Sequence, residues 1–257
     1  MVTCELMGGL GNQLFQIAAT TALALRNNDE ACFDIDGHRI SLQGKDAIDY
    51  KNIIYTKLNN KKLETNVEFH QNGHHFEEIP YKQNLKIVGF FQSEKYFNDY
   101  SDVIKDLLNP IDAVKEYVNN KYGDIINKKT CSIHVRHGDY MGLATHHPPC
   151  QPQYYYGAIK QFDGDTLFLV FSDDIEWCKS IFKGDNFIFI SNEEDYIDLH
   201  LISLCKNNII ANSSFSWWGA YLNKNENKKV IAPSKWFGRA LSHLNTDDIY
   251  TNKMIKL

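Results

Sequence analysis

The chain has no run of 18 apolar residues, no Cys-x-x-Cys pair and no stretch in which lysine and arginine gather into a stripe. Without the first, no helix is available to span a membrane. Without the second, Cys4, Cys32, Cys131, Cys150, Cys178 and Cys205 stand singly, four of them in expected strands or helices. They read as buried reduced thiols in a reducing compartment rather than as a disulfide framework. The missing basic stripe, at a net charge of −5, argues against nucleic acid and for a small-molecule partner. The amino terminus reaches Gly8 before any 7-residue apolar stretch, so neither a signal peptide nor a membrane anchor is expected, and the expectation is a cytoplasmic protein.

What is present is a regular α/β pattern in 257 residues, enough for one large domain or two small ones. A strand over 2–6 leads into Gly8, Gly9 and Gly11, and Asn12 is expected to cap a helix running to Arg26. On that helix Leu14, Ile17, Ala18, Thr21 and Leu25 share one face. A strand over 31–35 completes a βαβ opening that looks like a dinucleotide-binding unit, with Gly9-Leu10-Gly11 as GxG and Asp34 or Asp36 as the following acid. The third glycine position holds Leu14, so the close approach a pyrophosphate needs is missing. Residues 39–83 are polar and weakly patterned, and are expected to form loops and short elements. A strand over 85–91 and helices over 96–108 and 111–122 precede a domain boundary expected near Asn127.

The second half is more regular, with strands over 130–135, 166–171, 186–190, 208–211 and 229–232. Helices over 153–162, 174–182, 194–206 and 215–223 alternate with them, which predicts a parallel sheet covered on both faces. The fold class expected is therefore α/β, two Rossmann-like halves facing a cleft. Three turns at strand ends carry the chemistry. His134-Val135-Arg136-His137-Gly138-Asp139 places an arginine where open parallel sheets bind ligands, and its planar fork suits phosphate. Ser172-Asp173-Asp174 offers a carboxylate to a base or ribose, or caps a helix. Asn212-Ser213-Ser214-Phe215 opens a helix whose first N–H groups form an anion site.

Four motifs in order, GGLGNQLFQ, HVRHGDY, FSDDIEWC and NSSFSWWGAYL, resemble the alpha-1,2-fucosyltransferases that use GDP-fucose. The resemblance implies a GT-B glycosyltransferase fold, with 1–127 as the acceptor-side domain and 128–257 as the GDP-fucose-binding domain. It implies inverting transfer of L-fucose from GDP-L-fucose to the 2-hydroxyl of a galactose-terminated glycan. It also implies that Arg136 is the catalytic group at the β-phosphate and that His134, Asp173, Ser213, Ser214 and Phe215 bind the donor. Asn12 matches an asparagine expected to reach the fucose and the leaving oxygen. In place of the second arginine of the family's HxRRxD stands His137, an imidazole mostly uncharged at neutral pH.

No cofactor is expected. Asp34-Ile35-Asp36 is a DxD of the kind that can hold a divalent ion, but it belongs to the first half, whereas the phosphate groups named above belong to the second. Metal-independent turnover follows, with Asp34, Asp36 and His38 as candidates for the acceptor base. His146-His147 and His74-His75 are adjacent pairs that point oppositely on extended chain and rarely share one zinc ion. Two other readings compete. A nicotinamide-dependent oxidoreductase rests on the GxG and on Tyr156 with Lys160 at YxxxK spacing, which Tyr117 and Lys121 repeat. A non-catalytic GDP-sugar binding protein rests on the departure at His137. Any membrane association is expected to be peripheral, through a membrane-linked glycan.

Overall fold

The structure, a computed structural model, describes residues 1–37 and 45–257. It divides into two compact units, Met1–Ile111 with Leu244–Thr251, and Asp112–His243 with Asn252–Leu257.

In the first unit β1 (Val2–Cys4) is wholly buried and runs through a glycine turn into α1 (Leu10–Arg26). Extended Gly9, not Asn12, is the N-cap of α1, and Asn12 lies inside the first turn. The expected strand over 31–35 is reduced to two single bridges, Ala31 with Val2 and Phe33 with Asn60. The reason is that the backbone of Phe33 bonds to Asn59 and Lys61 rather than continuing along β1. In the weakly patterned stretch lie the short α2 (Ala47–Tyr50), capped by Asp46, and β2 (Val67–His70). β3 (Leu85–Val88) is the central strand of a parallel sheet in the order β1-β3-β2. The helix expected from 96 starts instead as two 3-10 turns, Glu94–Tyr96 and Asn98–Tyr100, before α3 (Ser101–Leu107). Phe97 at φ −142° interrupts it. α1 packs against β1, the first of these turns and α3. Burial therefore reaches round to Phe15, Ala19, Ala22 and Leu23, while Leu25, expected on the core face, is 38% exposed.

The second unit contains α4 (Asp112–Ile126), β4 (Thr130–Val135), α5 (Pro152–Ile159), β5 (Leu167–Ser172), α6 (Ile175–Ile181) and β6 (Phe187–Ile190). It continues with α7 (Asp195–Leu204), β7 (Asn207–Ile209), α8 (Ser214–Leu222), β8 (Val230–Ala232) and β9 (Met254–Lys256). All six strands are parallel, in the order β6-β5-β4-β7-β8-β9. The chain thus builds outward from β4 in one direction, returns, and builds outward from β7 in the other. Between β4 and β7 the winding reverses, and beyond the carboxyl ends of those two strands a doubly wound sheet opens a crevice. One face of β4, with Cys131, Ile133 and Val135, packs under Tyr155, Ala158 and Cys178. On the other, Ser132 Oγ accepts from Asn208 Nδ2 (2.8 Å), and Asn223 Nδ2 donates to Asn208 Oδ1 (2.9 Å). This paired amide chain fastens β4, β7 and the end of α8 without leaving a buried amide unmatched. β9 escaped sequence reading because Met254-Ile255-Lys256 is short, largely exposed and set among polar residues.

The units part between Ile111 and Asp112, ahead of the boundary expected near Asn127, because α4 packs against α7 of the second unit. Glu193, between β6 and α7, has a side chain 4% exposed that accepts from Lys121 Nζ (2.5 Å), and its Oε1 also accepts from Tyr122 (2.6 Å). Tyr117 adds a third donor, at 3.1 Å. Burial alone would raise the Glu193 pKa, but Lys121 and the two tyrosines outweigh it and hold it below the ordinary value. Tyr117 and Lys121 are thereby absorbed in packing. Glu193→Ala is expected to cost about 1.5–3 kcal/mol in urea unfolding, as for a buried hydrogen-bonded charge. That contribution is present above the ordinary glutamate range and fades as pH falls through the lowered Glu193 value. An unchanged midpoint at pH 7 would refute the anchor.

Candidate active site

β4 ends at Val135, and the next residues turn across the crevice. Arg136 Nη2 donates to Asp139 Oδ2 (2.6 Å) and Arg136 Nε lies 3.4 Å from Asp173 Oδ2. Burial opposes the guanidinium charge, but Asp173 and Asp139 prevail and its pKa is raised above the ordinary value. Asp173 is itself fixed, since its Oδ1 accepts from the His137 backbone N–H (2.9 Å). The Tyr140 ring lies 5.7 Å from the Arg136 guanidinium carbon, and its hydroxyl donates to the Asn212 carbonyl (3.2 Å), at the end of the β7 segment. One side chain therefore ties the arginine turn to the strand across the reversal.

His134 is 6% exposed, its ring 5.4 Å from that of Phe215, and its Nδ1 has no hydrogen-bond partner among the described residues. Burial first, and Arg136 second, push its pKa down to about 3, so the imidazole is neutral. A buried nitrogen without a partner is uncommon in a native fold. Ser213, in extended backbone, is the N-cap of α8 but makes no side-chain capping bond, with Ser214 and Phe215 opening the helix. Asn212 Nδ2 donates to the Pro148 and Trp236 carbonyls (both 3.0 Å), which fixes the approach to α8.

Of the residues singled out in the sequence, the second unit brings His134, Arg136, Asp173, Ser213, Ser214 and Phe215 to the carboxyl ends of β4, β5 and β7. Asn12 lies in the first unit, where its Oδ1 accepts from Gln92 Nε2 (2.8 Å). The turn beside it is wired by glutamines: Gln16 Oε1 accepts from the Met7 N–H (2.8 Å), and Gln13 Nε2 donates to the Gly8 carbonyl (3.0 Å). Gly8 has φ +73°, and a Cβ there would fall 2.5 Å from Asn12 Nδ2, so glycine is required on two counts. Asp36 is engaged by Lys51 Nζ (2.6 Å) and Asn60 Nδ2 (2.7 Å), which lower its pKa and weaken it as a base. His38 lies outside the described residues. Sequence reading named Asp139 without giving it a role, and missed Tyr140, Gln13, Gln16 and Gln92. Tyr140, four residues after Arg136, was the one with a signal, an aromatic beside a guanidinium.

A family model described as glycosyl transferase family 11 matches residues 1–254. The chain belongs to that family. Its relatives include the alpha-1,2-colitosyltransferase of Escherichia coli, 32% identical over all of this chain and 99% of the relative. The O-antigen biosynthesis glycosyltransferase WbnK of Escherichia coli is 31% identical over 96% of this chain and 98% of the relative. The galactoside 2-alpha-L-fucosyltransferase of Caenorhabditis elegans is 26% identical over all of this chain and 76% of the relative. Among solved structures, fucosyltransferase NodZ from Bradyrhizobium matches with a TM-score of 0.55 at 12% identity, over 85% of this chain and 91% of that one. POFUT1 in complex with GDP matches with a TM-score of 0.50 at 11% identity, over 88% and 95%. The fold of this family 11 glycosyltransferase is that of the GT-B fucosyltransferases.

The family departure at His137 has a structural account. Its Nδ1 lies 2.9 Å from Asp174 Oδ2, and its ring stacks on Trp177 at 4.2 Å and 17°. Asp174, the N-cap of α6, accepts from the Trp177 N–H (3.0 Å), so His137 docks the arginine turn onto α6. In the family 11 glycosyltransferase, His137→Arg is therefore expected to leave any affinity for GDP within about twofold by calorimetry, since the added charge meets Asp174. A tightening that shrinks with salt would show that position 137 reaches phosphate.

Proposed function

We propose that this glycosyltransferase transfers L-fucose from GDP-L-fucose to the 2-hydroxyl of a terminal galactoside, with inversion and without a metal ion. The observation that carries the proposal is the guanidinium of Arg136 held beside the unpartnered His134 nitrogen and joined through Tyr140 to the start of α8. Breaking the bond from fucose to phosphate builds negative charge on the GDP β-phosphate. A preorganised guanidinium and the first N–H groups of α8 stabilise that charge without reorganising. Asp139 and Asp173 hold Arg136 at Nη2 and Nε, and its other N–H donors bond nothing among the described residues. Those are the donors assigned to the β-phosphate.

In this reading neutral His134 gives the donor one hydrogen bond, while Ser213, Ser214 and Phe215 contribute helix-start and packing contacts. Asp173 acts by bracing Arg136 and the His137 N–H rather than by gripping the base. Asn12 meets the transferred sugar and the leaving oxygen. Metal independence rests on the guanidinium and helix start, which already supply positive potential where a cation would otherwise sit. The DxD adds little to a metal site, because Asp36 is committed to Lys51 and Asn60. Among the described residues no helix is long and apolar enough to cross a membrane. With five of the six cysteines buried, we place the enzyme in the cytoplasm, acting on a glycan acceptor that can be membrane-linked.

A second donor is favoured by one observation, the 32% identity to a colitosyltransferase, so a colitosyl donor is the competing reading. Incubation with GDP-fucose or the corresponding colitosyl donor and a panel of terminal galactosides, read by mass spectrometry, separates the two. Donor binding without product would leave the non-catalytic reading.

Arg136→Lys keeps the charge and loses the fork. It is expected to fold normally and to lose two to three decades in rate, about 2–4 kcal/mol of transition-state stabilisation. Activity within threefold of wild type would remove Arg136 from the mechanism. Turnover in excess EDTA is expected to match turnover in Mg2+ or Mn2+. Loss in EDTA, rescue by metal, and failure of that rescue in Asp36→Asn would overturn the metal-free mechanism.

A further inference from the structure

Immediately beyond β3 the backbone is bent in a way that side chains resist. Gly89 has φ +156°, and Phe91, a bulky residue with no exposed surface, has φ +50°. Phenylalanine in the left-handed region is a genuine outlier, and such strain persists only where surrounding contacts over-determine it. Here they do. Gln71 Oε1 accepts from both the Phe90 N–H (3.0 Å) and the Phe91 N–H (2.8 Å), and Gln16 Nε2 donates to the Gly89 carbonyl (3.1 Å). The Phe91 ring meets Tyr96 edge-on at 5.3 Å, and the Tyr96 hydroxyl accepts in turn from Gln71 Nε2 (3.3 Å). The residue delivered by this elbow is Gln92, 8% exposed, whose Nε2 donates to Asn12 Oδ1.

An asparagine amide has a donating end and an accepting end, and which one faces a substrate is decided by its partners. Because Gln92 donates, the Asn12 oxygen must face Gln92 and its Nδ2 must lie on the Gly8 side, where only glycine leaves room. With Gln92 turned as it is, the reverse orientation of Asn12 would set two NH2 groups against each other. Resting on the reading of Asn12 as the group that meets the sugar and the leaving oxygen, we propose that Gln92 is a positioning residue that keeps Asn12 in its donating orientation. A leaving oxygen that gains negative charge needs a donor there and is opposed by an acceptor.

The test uses the full chain with Gln92→Leu and Gln92→Glu. Gln92→Leu cannot donate, and kcat is expected to fall roughly ten- to a hundredfold, as for a misplaced catalytic group. GDP affinity by calorimetry is expected to stay within about twofold, because the nucleotide is assigned to the other unit. In Gln92→Glu the ionised side chain favours the flipped amide and only its protonated form donates, so activity relative to wild type at the same pH should rise as pH falls from about 7.5 to 5. A packing role alone would give no such pH dependence. The Asn12 side-chain 15N–1H signals report the hold without turnover and should shift in both variants. Unshifted signals, a pH-independent ratio in Gln92→Glu, or wild-type kcat in Gln92→Leu would each overturn the role of Gln92. A wild-type enzyme that turns over no sugar donor would overturn the reaction instead, with the Asn12 signals still deciding the orientation. If Gln92→Leu does not fold, Gln92→Glu carries the test by itself.

Discussion

One half-buried guanidinium governs the second unit. Taking Arg136 out of water is costly, and the cost is offset only because Asp139 and Asp173 both reach it. Those carboxylates need partners of their own. Asp173 takes the His137 N–H, and His137 in turn is pinned by Asp174 and Trp177 at the start of α6. The arginine is thus braced from β5 and α6 on one side and through Tyr140 and Asn212 from β7 on the other. The reversal of winding between β4 and β7 makes this bracing possible, since only there do adjacent strand ends lead their chains in opposite directions.

The first unit solves a different problem by different means. Its sheet is small, and its strand-end turns are held by neutral amides rather than ion pairs. Gln13, Gln16, Gln71 and Gln92 join the glycine turn after β1 to the elbow after β3. Amides suit this task because each has a donor and an acceptor end, so a chain of them fixes orientation without adding charge. Residues Gln13 and Gln16 are buried and hydrogen-bonded, as buried polar groups must be. Tyr55 closes the set by donating to Gln13 Oε1 (2.9 Å).

Charge thus holds the strand-end turns of the second unit, and neutral amides hold those of the first. His137 has a local structural task. An imidazole stacked on Trp177 and paired with Asp174 docks the turn, and the permanent charge of a second arginine is not needed for that.

The alternation in 130–135, the apolar run before Asp173 and the serine-rich helix start were legible because strand period and helix-start chemistry are local properties. From them alone follow the parallel α/β class, the positions of the expected strands and helices of the second half, and Arg136 at a strand end. Where the pattern was short or polar, as in β2 and β9, strands were missed, and near Phe33 the expected strand was broken by bonds to Asn59 and Lys61. Asn12 looked like a cap because caps are recognised by residue type, whereas Gly9 takes that place through its backbone angle. Glu193 drew α4 into the second unit through contacts about 70 residues away in sequence, at separations of 71 and 72. The same is true of Gln92 and Asn12, separated by 80 residues and joined by one hydrogen bond. Residue type and spacing determine which elements form and which chemistry is available. Strand order, and the partners that orient each amide and carboxylate, depend on groups distant in sequence, and only the tertiary structure brings them within hydrogen-bonding distance.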